Sequence, residues 1–233
     1  MEGKLASGAM PRESIRSEGA SDRPLLILGT RSFAPEVADL ASEVPPYRVV
    51  GFVENMDRER CEEELEGLPV FWIEDVEKLA ETHWAVCALG TTHRRGFIER
   101  VAAYRTSFAT LIHPSARVST KSSVGEGSIL SAGTIVGAHA QLGRHVLANR
   151  GVLIGHDVEI GDYVTLGPGA NVGGSTHIGE GTYVGIAAIV LDHIRIGSRS
   201  VIGAGSLVTK DVGDNVQVAG MPARVVRKNI DGK

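Results

Sequence analysis

The sequence predicts an α/β unit followed by a parallel β-solenoid, and three observations carry that prediction. An aliphatic residue recurs every six positions from Val118 to Val208 without a slip of phase. Glycine crowds into the same stretch, with 21 of 29 glycines after residue 112, whereas Tyr163 and Tyr183 are the only aromatics there. Ahead of it, short apolar runs alternate with segments of helical spacing. Charge divides at the same place: residues 1–112 hold 13 basic and 19 acidic residues, and residues 113–233 hold 11 and 9.

Residues 1–22 are polar and irregular, and composition predicts a disordered tail. Leu25–Leu28 is a fully apolar run ending at Gly29, the pattern of a buried strand. Pro35–Ser42 has helical spacing, with Val37, Leu40 and Ala41 on one face and Pro35 suited to a first helical position. Arg48–Val53 reads as a strand, Asp57–Leu65 as a charged helix and Val70–Trp72 as a short strand. Asp75–Glu81 follows as a helix, Ala85–Leu89 as a strand, Arg94–Tyr104 as a helix and Phe108–Ile112 as a last strand. Alternating elements of this kind imply a parallel sheet with crossover helices over residues 23–112. The loop after the first strand is Gly29-Thr30-Arg31-Ser32, with one of the three glycines a dinucleotide fingerprint needs. A hydride-transferring NAD enzyme is therefore not expected.

In residues 113–233, fifteen of the sixteen six-spaced positions are Val, Leu or Ile, and Ala148 is the exception. The next residue is Gly in eleven of the sixteen, placed where the chain turns. Four residues after the aliphatic position stands Ser, Thr, Ala or Val, except for Ile194. A period of six fits neither a helix nor a hairpin series, but it fits flat strands joined by sharp corners. Three hexads close one triangular coil, and stacked coils bury a continuous aliphatic column.

Composition narrows the function classes. A formal net charge of −4 argues against a nucleic-acid binder. No apolar run approaches the roughly 20 residues of a membrane helix, and the first residues lack a signal-peptide core. Cys61 and Cys87 form neither a zinc pattern nor a disulfide framework, so a cytoplasmic setting is expected.

A Rossmann-like unit leading through His113-Pro114-Ser115-Ala116 into hexads that close on Gly220-Met221-Pro222-Ala223-Arg224-Val225 is a specific combination. From about residue 23 the chain resembles the hexapeptide-repeat nucleotide-sugar N-acetyltransferases, which act on UDP-4-amino sugars or GDP-perosamine, and their sialic-acid O-acetyltransferase-like relatives. The resemblance implies a left-handed parallel β-helix after the α/β unit, acetyl-CoA as co-substrate, a homotrimer, and a nucleotide-linked amino sugar of bacterial glycan synthesis as acceptor. It implies that Gly29, Glu54 and Asn55 touch the nucleotide sugar, although Arg31, Ser32 and Phe33 depart from the family's small-residue loop.

Asn149 takes a position where the hexad prefers Gly, and His156-Asp157 follows in Ile154-Gly155-His156-Asp157. This stretch matches the family's active-site segment, which implies His156 as general base, Asp157 as its orienting acid and Asn149 as a contact of the amino sugar. Gly174 is then implied as the backbone donor to the thioester carbonyl, with Ile186 and Ala204 along the pantetheine path. Thr165 stands where relatives commonly carry a second histidine, and Asp162 reads as a turn residue. A metal site is not expected, because the β-helical γ-class carbonic anhydrases need a His-x4-His pair and no two histidines here are five apart. Direct attack of a sugar amine on acetyl-CoA is the favoured chemistry, since both cysteines precede the hexads and a covalent acyl-cysteine is not expected. Two alternatives stand beside it: acetylation of a sugar hydroxyl, and a non-catalytic scaffold with a nucleotide-sensing domain.

Overall fold

The structure, a computed structural model, describes residues 22–233. The tail expected over residues 1–22 lies outside the described residues but for Asp22, whose carboxylate pairs with Arg48 at 2.6 Å. The first unit contains β1 (Arg23–Leu28), α1 (Phe33–Ser42), β2 (Tyr47–Glu54), β3 (Glu64–Leu65), β4 (Leu68–Trp72), β5 (Trp84–Cys87), α2 (Arg95–Ala102) and β6 (Ser107–Phe108). Its sheet runs β3-β4-β2-β1-β5-β6, parallel throughout except for β3 against β4. Central β1 is covered on both faces, which is why Leu25 to Leu28 is unbroken by a polar residue.

Four expectations are corrected. The charged segment after β2 is a 3-10 turn (Arg58–Glu62), and the chain then reverses through Glu66 and Gly67, both at positive φ, into the β3–β4 hairpin. Ile73–Lys78 is likewise a 3-10 turn in place of a helix. Helix α1 begins at Phe33, so Pro35 occupies its third position, where its missing N–H is still one of the first turn's unpaired donors. The strand expected over Phe108–Ile112 is two: β6 closes the first sheet, and Leu111–Ile112 pairs with Ile129–Leu130 of the solenoid.

The solenoid stacks three parallel sheets in which each residue pairs with the residue 18 positions on, as in Ile135, Leu153, Asn171, Ile189 and Leu207. From Leu130 onward the six-spaced aliphatics are buried in one column. Small residues four positions later turn inward too, and their hydroxyls bond carbonyls one coil on, as from Thr182 to Gly197 at 2.7 Å. Glycine after the aliphatic residue is not where the chain needs positive φ. A Cβ on Gly161 would stand 2.7 Å from the Glu180 amide nitrogen of the next coil, so these glycines answer close stacking. Positive φ falls two residues later, at every sixth position from Gly127 to Gly205.

The residue before each inward aliphatic points outward, and it differs by face. On the first face, Leu111, Ile129 and Leu147 are buried against β1 and α1. On the second face, Ile135, Leu153 and Ile189 are bare, at 46%, 40% and 38% exposure. The third face shows Ser123, Gln141, Glu159, His177 and Arg195.

One buried cation helps fasten the α/β unit to the first face. Arg94 is 2% exposed and donates to the Thr91, His145 and Val164 carbonyls and the Thr165 hydroxyl. Burial without a carboxylate partner lowers its pKa to about 10, which leaves it charged at neutral pH. Beside it His145 is buried between Phe108 and Tyr163, and its Nδ1 has no hydrogen-bond partner. Burial first, then the Arg94 charge, drops the His145 pKa to about 4.

Two outcomes follow. Gly161→Ala should lose about 3 kcal/mol or more by forcing backbone apart, and Gly169→Ala, at positive φ with nothing within 4 Å, about 1 kcal/mol. Denaturant unfolding that ranks Gly169→Ala as the worse would contradict the stacking argument. His145 holds its proton less well folded than unfolded, so its contribution is complete above about pH 6.5 and is lost as pH falls through about 4. Between pH 7.5 and 4.5 the native chain should lose on the order of 2 kcal/mol more than His145→Leu does. Identical losses would show that His145 is not the titrating group.

Candidate active site

His156 lies on the corner that follows the second-face strand Leu153–Ile154. It is the second residue of that corner, and Asp157 is the third, held at φ 56 in the left-handed region that Asp tolerates. That backbone turn brings the Asp157 carboxylate to 2.7 Å from Nδ1 of His156. The contact assigns Nδ1 as the protonated nitrogen of the neutral ring and leaves Nε2 as the basic one. Nε2 faces the next coil: a Cβ on Gly174 would stand 2.7 Å from it, so any side chain there would displace the ring. The Ser175 amide caps the His156 carbonyl at 2.8 Å, while the Gly174 amide donates to no group of the described chain.

The remaining expected residues of the solenoid lie on a different corner. Asn149, Ile186 and Ala204 each follow a first-face strand, at Leu147–Ala148, Tyr183–Val184 and Val201–Ile202. Asn149 bonds the Arg150 amide through Oδ1 at 2.7 Å, and the Arg150 guanidinium pairs with Glu36 in the first turn of α1. This contact sets the strand-to-helix loop of the α/β unit beside the Asn149 corner. Ile186 and Ala204 line one groove of about 330 Å³ with Tyr183, Gln217 and the segment from Arg227 to Lys233.

At the carboxyl ends of β1 and β2, Gly29 has φ 121 and lies against Leu89. Glu54 is turned inward. Its carboxylate accepts from the buried Thr30 hydroxyl and from the Asn55 and Met56 amides at 2.8 and 2.9 Å. Burial opposes its charge, but the Thr30 and backbone hydrogen bonds outweigh that and hold its pKa below the ordinary carboxylate value. The Asn55 side chain, partly exposed, makes no hydrogen bond within the described chain.

One protomer thus brings His156, Asp157 and Gly174 together at one edge of the second face. It brings Asn149, Ile186 and Ala204 together at the other edge, on the side of Gly29 and Asn55. Thr165 joins neither set, because it is buried under Arg94. Asp162 is the structural residue it was expected to be, bonding the Arg144 amide and guanidinium. Arg94, Arg150 and the bare second face were missed in the sequence. The signal for the face was present at a period of 18, in Ile135, Leu153, Ile189 and Leu207. No group of three or more His, Cys, Asp or Glu among the described residues is placed to hold a metal, and no described helix is long and apolar enough to cross a membrane.

Residues 139–174 and 175–210 match the family model described as bacterial transferase hexapeptide (six repeats). Among curated proteins, a galactoside O-acetyltransferase of Lactococcus lactis is 65% identical over 40 residues, 17% of this chain and 19% of that protein. A 2,3,4,5-tetrahydropyridine-2,6-dicarboxylate N-acetyltransferase of Clostridium perfringens is 46% identical over 46 residues, 20% of this chain and 19% of that protein. The alignments thus span about a fifth of the length of these curated relatives. Solved structures align far more widely. The acetyltransferase domain of PglB from Neisseria gonorrhoeae is 30% identical with a TM-score of 0.80, covering 88% of this chain and 100% of that one. A mutant perosamine N-acetyltransferase from Caulobacter crescentus, in complex with CoA and GDP-perosamine, is 26% identical with a TM-score of 0.82, covering 91% of this chain and 98% of that one.

Proposed function

Because the chain belongs to the hexapeptide-repeat, left-handed β-helix family of nucleotide-sugar N-acetyltransferases, we propose that it moves an acetyl group from acetyl-CoA to the amine of a nucleotide-linked amino sugar of bacterial glycan synthesis. The observation that carries this reading is the His156–Asp157 pair, with Nε2 of His156 free and the unspent Gly174 amide beside it. The Rossmann-like unit holds the nucleotide through the Gly29 loop and Asn55, and Glu54 acts from inside by fixing the shape of that loop.

The amine nitrogen attacks the thioester carbonyl and forms the C–N bond. Nε2 of His156 takes the proton the nitrogen sheds, and Asp157 stabilises the resulting imidazolium. The Gly174 amide donates to the oxyanion of the tetrahedral intermediate. Collapse expels the CoA sulfur, which receives the proton back from His156. Asn149 orients the amino sugar, and Ile186 and Ala204 border the pantetheine arm.

Both edges of the second face are needed for this chemistry, and one protomer holds them apart. We therefore assign the working form as a homotrimer in which the His156 edge of one copy meets the Asn149 edge of the next. The bare ladder of Ile135, Leu153 and Ile189 between the two edges supports it, since an exposed apolar strip of this kind marks an association surface. Three-fold closure uses both edges of every copy. The same groups would serve a hydroxyl acceptor, and the matched galactoside O-acetyltransferase stretch gives that reading an arm in the test.

Thiol release from acetyl-CoA, screened against UDP-, GDP- and dTDP-amino sugars and against galactosides, tests the proposal. Turnover with one nucleotide amino sugar is expected, and His156→Ala should lower kcat at least ~10²-fold with little change in acetyl-CoA affinity. Asp157→Asn should do less harm, because it leaves the base in place. Turnover confined to galactosides would favour the hydroxyl reading, and a loss below about threefold in His156→Ala would remove the base assignment.

A further inference from the structure

The first two coils of the solenoid carry a group of basic side chains that the fold does not use. The corner that holds His156 and Asp157 recurs one coil below as Ala138-His139 and two coils below as Thr120-Lys121, because each is 18 residues from the next. These corners stack directly: the Asp157 amide donates to the Ala138 carbonyl at 2.9 Å. His139 is exposed and held at φ 62, and Lys121 is exposed beneath it. Neither side chain has a hydrogen-bond or ion-pair partner among the described residues. Arg117 stands exposed on the adjoining second-face strand. Between Ala116 and Ala140 the single carboxylate is Glu126, on a different corner, where it accepts from the Phe108 amide at 3.1 Å. In a chain of net charge −4 this edge is a local reversal of sign.

Height along the solenoid gives these side chains a ligand. The α/β unit sits on Leu111, Ile129 and Leu147, the first-face residues of the first three coils, so its Gly29 loop belongs to the low end. Gly174, Ile186 and Ala204 all lie above His156. In the trimer proposed above, the Asn149 edge and α/β unit of one copy meet the His156 edge of the next, and coils keep their heights around an axis parallel to the solenoid. The acceptor then reaches His156 from below and the donor from above. One pyranose ring at most separates the amine of an amino sugar from its diphosphate, which sets the phosphate one to two coils below Nε2, at roughly 4.8 Å per coil. His139 and Lys121 stand at those two levels. An ammonium and an imidazole N–H, present in either tautomer, both donate to phosphate oxygen. We propose that Lys121 and His139 bind the sugar-bearing phosphate of the nucleotide-linked acceptor, across the interface from the copy whose Gly29 loop holds the nucleotide. This rests on the nucleotide-sugar and trimer readings above. The pair places the sugar and plays no part in proton transfer.

The test compares nucleoside diphosphates with monophosphates, which lack the phosphate in question. By calorimetry on the full chain, UDP, GDP and dTDP are each measured against UMP, GMP and dTMP, and the native chain should favour the diphosphate of its own base. In the double variant Lys121→Gln/His139→Asn, with Asn chosen because it tolerates positive φ, the diphosphate should bind about tenfold more weakly and the monophosphate as before. Acetyl-CoA affinity should be unchanged, and the native preference for the diphosphate should shrink as salt is raised. Equal weakening of diphosphate and monophosphate would mean that the corner had deformed, and the proposal would fall. A native chain without the preference, or a variant that keeps it, would also overturn the proposal, while leaving the acetyltransferase reading intact. A native chain that binds none of the six nucleotides would overturn the nucleotide-sugar reading as well.

Discussion

Stacking of coils in a register of 18 residues is the constraint on which everything else depends. It needs backbone to approach backbone at the corners, and the glycines after the buried aliphatics permit that: a Cβ at Gly155 would meet the Gly174 amide nitrogen at 2.6 Å. The register then fixes the site. Gly174 is one coil above His156 because the two are 18 apart, and its missing side chain is the space that Nε2 faces. Fold and proposed site therefore share one requirement, a bare backbone at a corner.

The same register sorts the outward residues into three faces with three uses. The first is apolar and buried under the α/β unit, so the Gly29 loop is carried at a set height on the solenoid. Arg94 and the Arg150–Glu36 pair act at that junction, one buried among carbonyls and the other exposed. A buried cation that spends its donors on fixed carbonyls specifies orientation more than it adds stability, since removing it from water is costly. The third face is polar and needs no partner. The second is apolar and uncovered, and its two edges carry the two residue sets of the proposed site.

Much of this was legible in the sequence, for a physical reason. A six-residue period is enforced at every coil, so the buried column and the corners could be read from Val118 to Val208 residue by residue. Asn149 and His156 stood out because they occupy corner positions that packing does not dictate. The period of 18 was harder to see, because Thr165 and Asn171 interrupt the outward ladders. In the α/β unit the misread elements were short: Arg58–Glu62 and Ile73–Lys78 hold no more than two turns each, too little for spacing to separate a 3-10 segment from a helix. The burial of His145 and Glu54 depends on neighbours distant in sequence, Phe108 and Thr30, and local pattern carries no trace of such contacts.

Whether the site is shared between copies can be measured by complementation. His156→Ala removes the base at one edge of the second face, and Ala204→Trp blocks the cofactor path at the other; each variant alone should be inactive. Co-expressed in equal amounts and assembled at random, they form an intact site wherever an Ala204→Trp copy presents His156 to a His156→Ala copy, so turnover should return to about a quarter of the native value. Mixed oligomers that remain as inactive as the separate variants would contradict a site built across two copies.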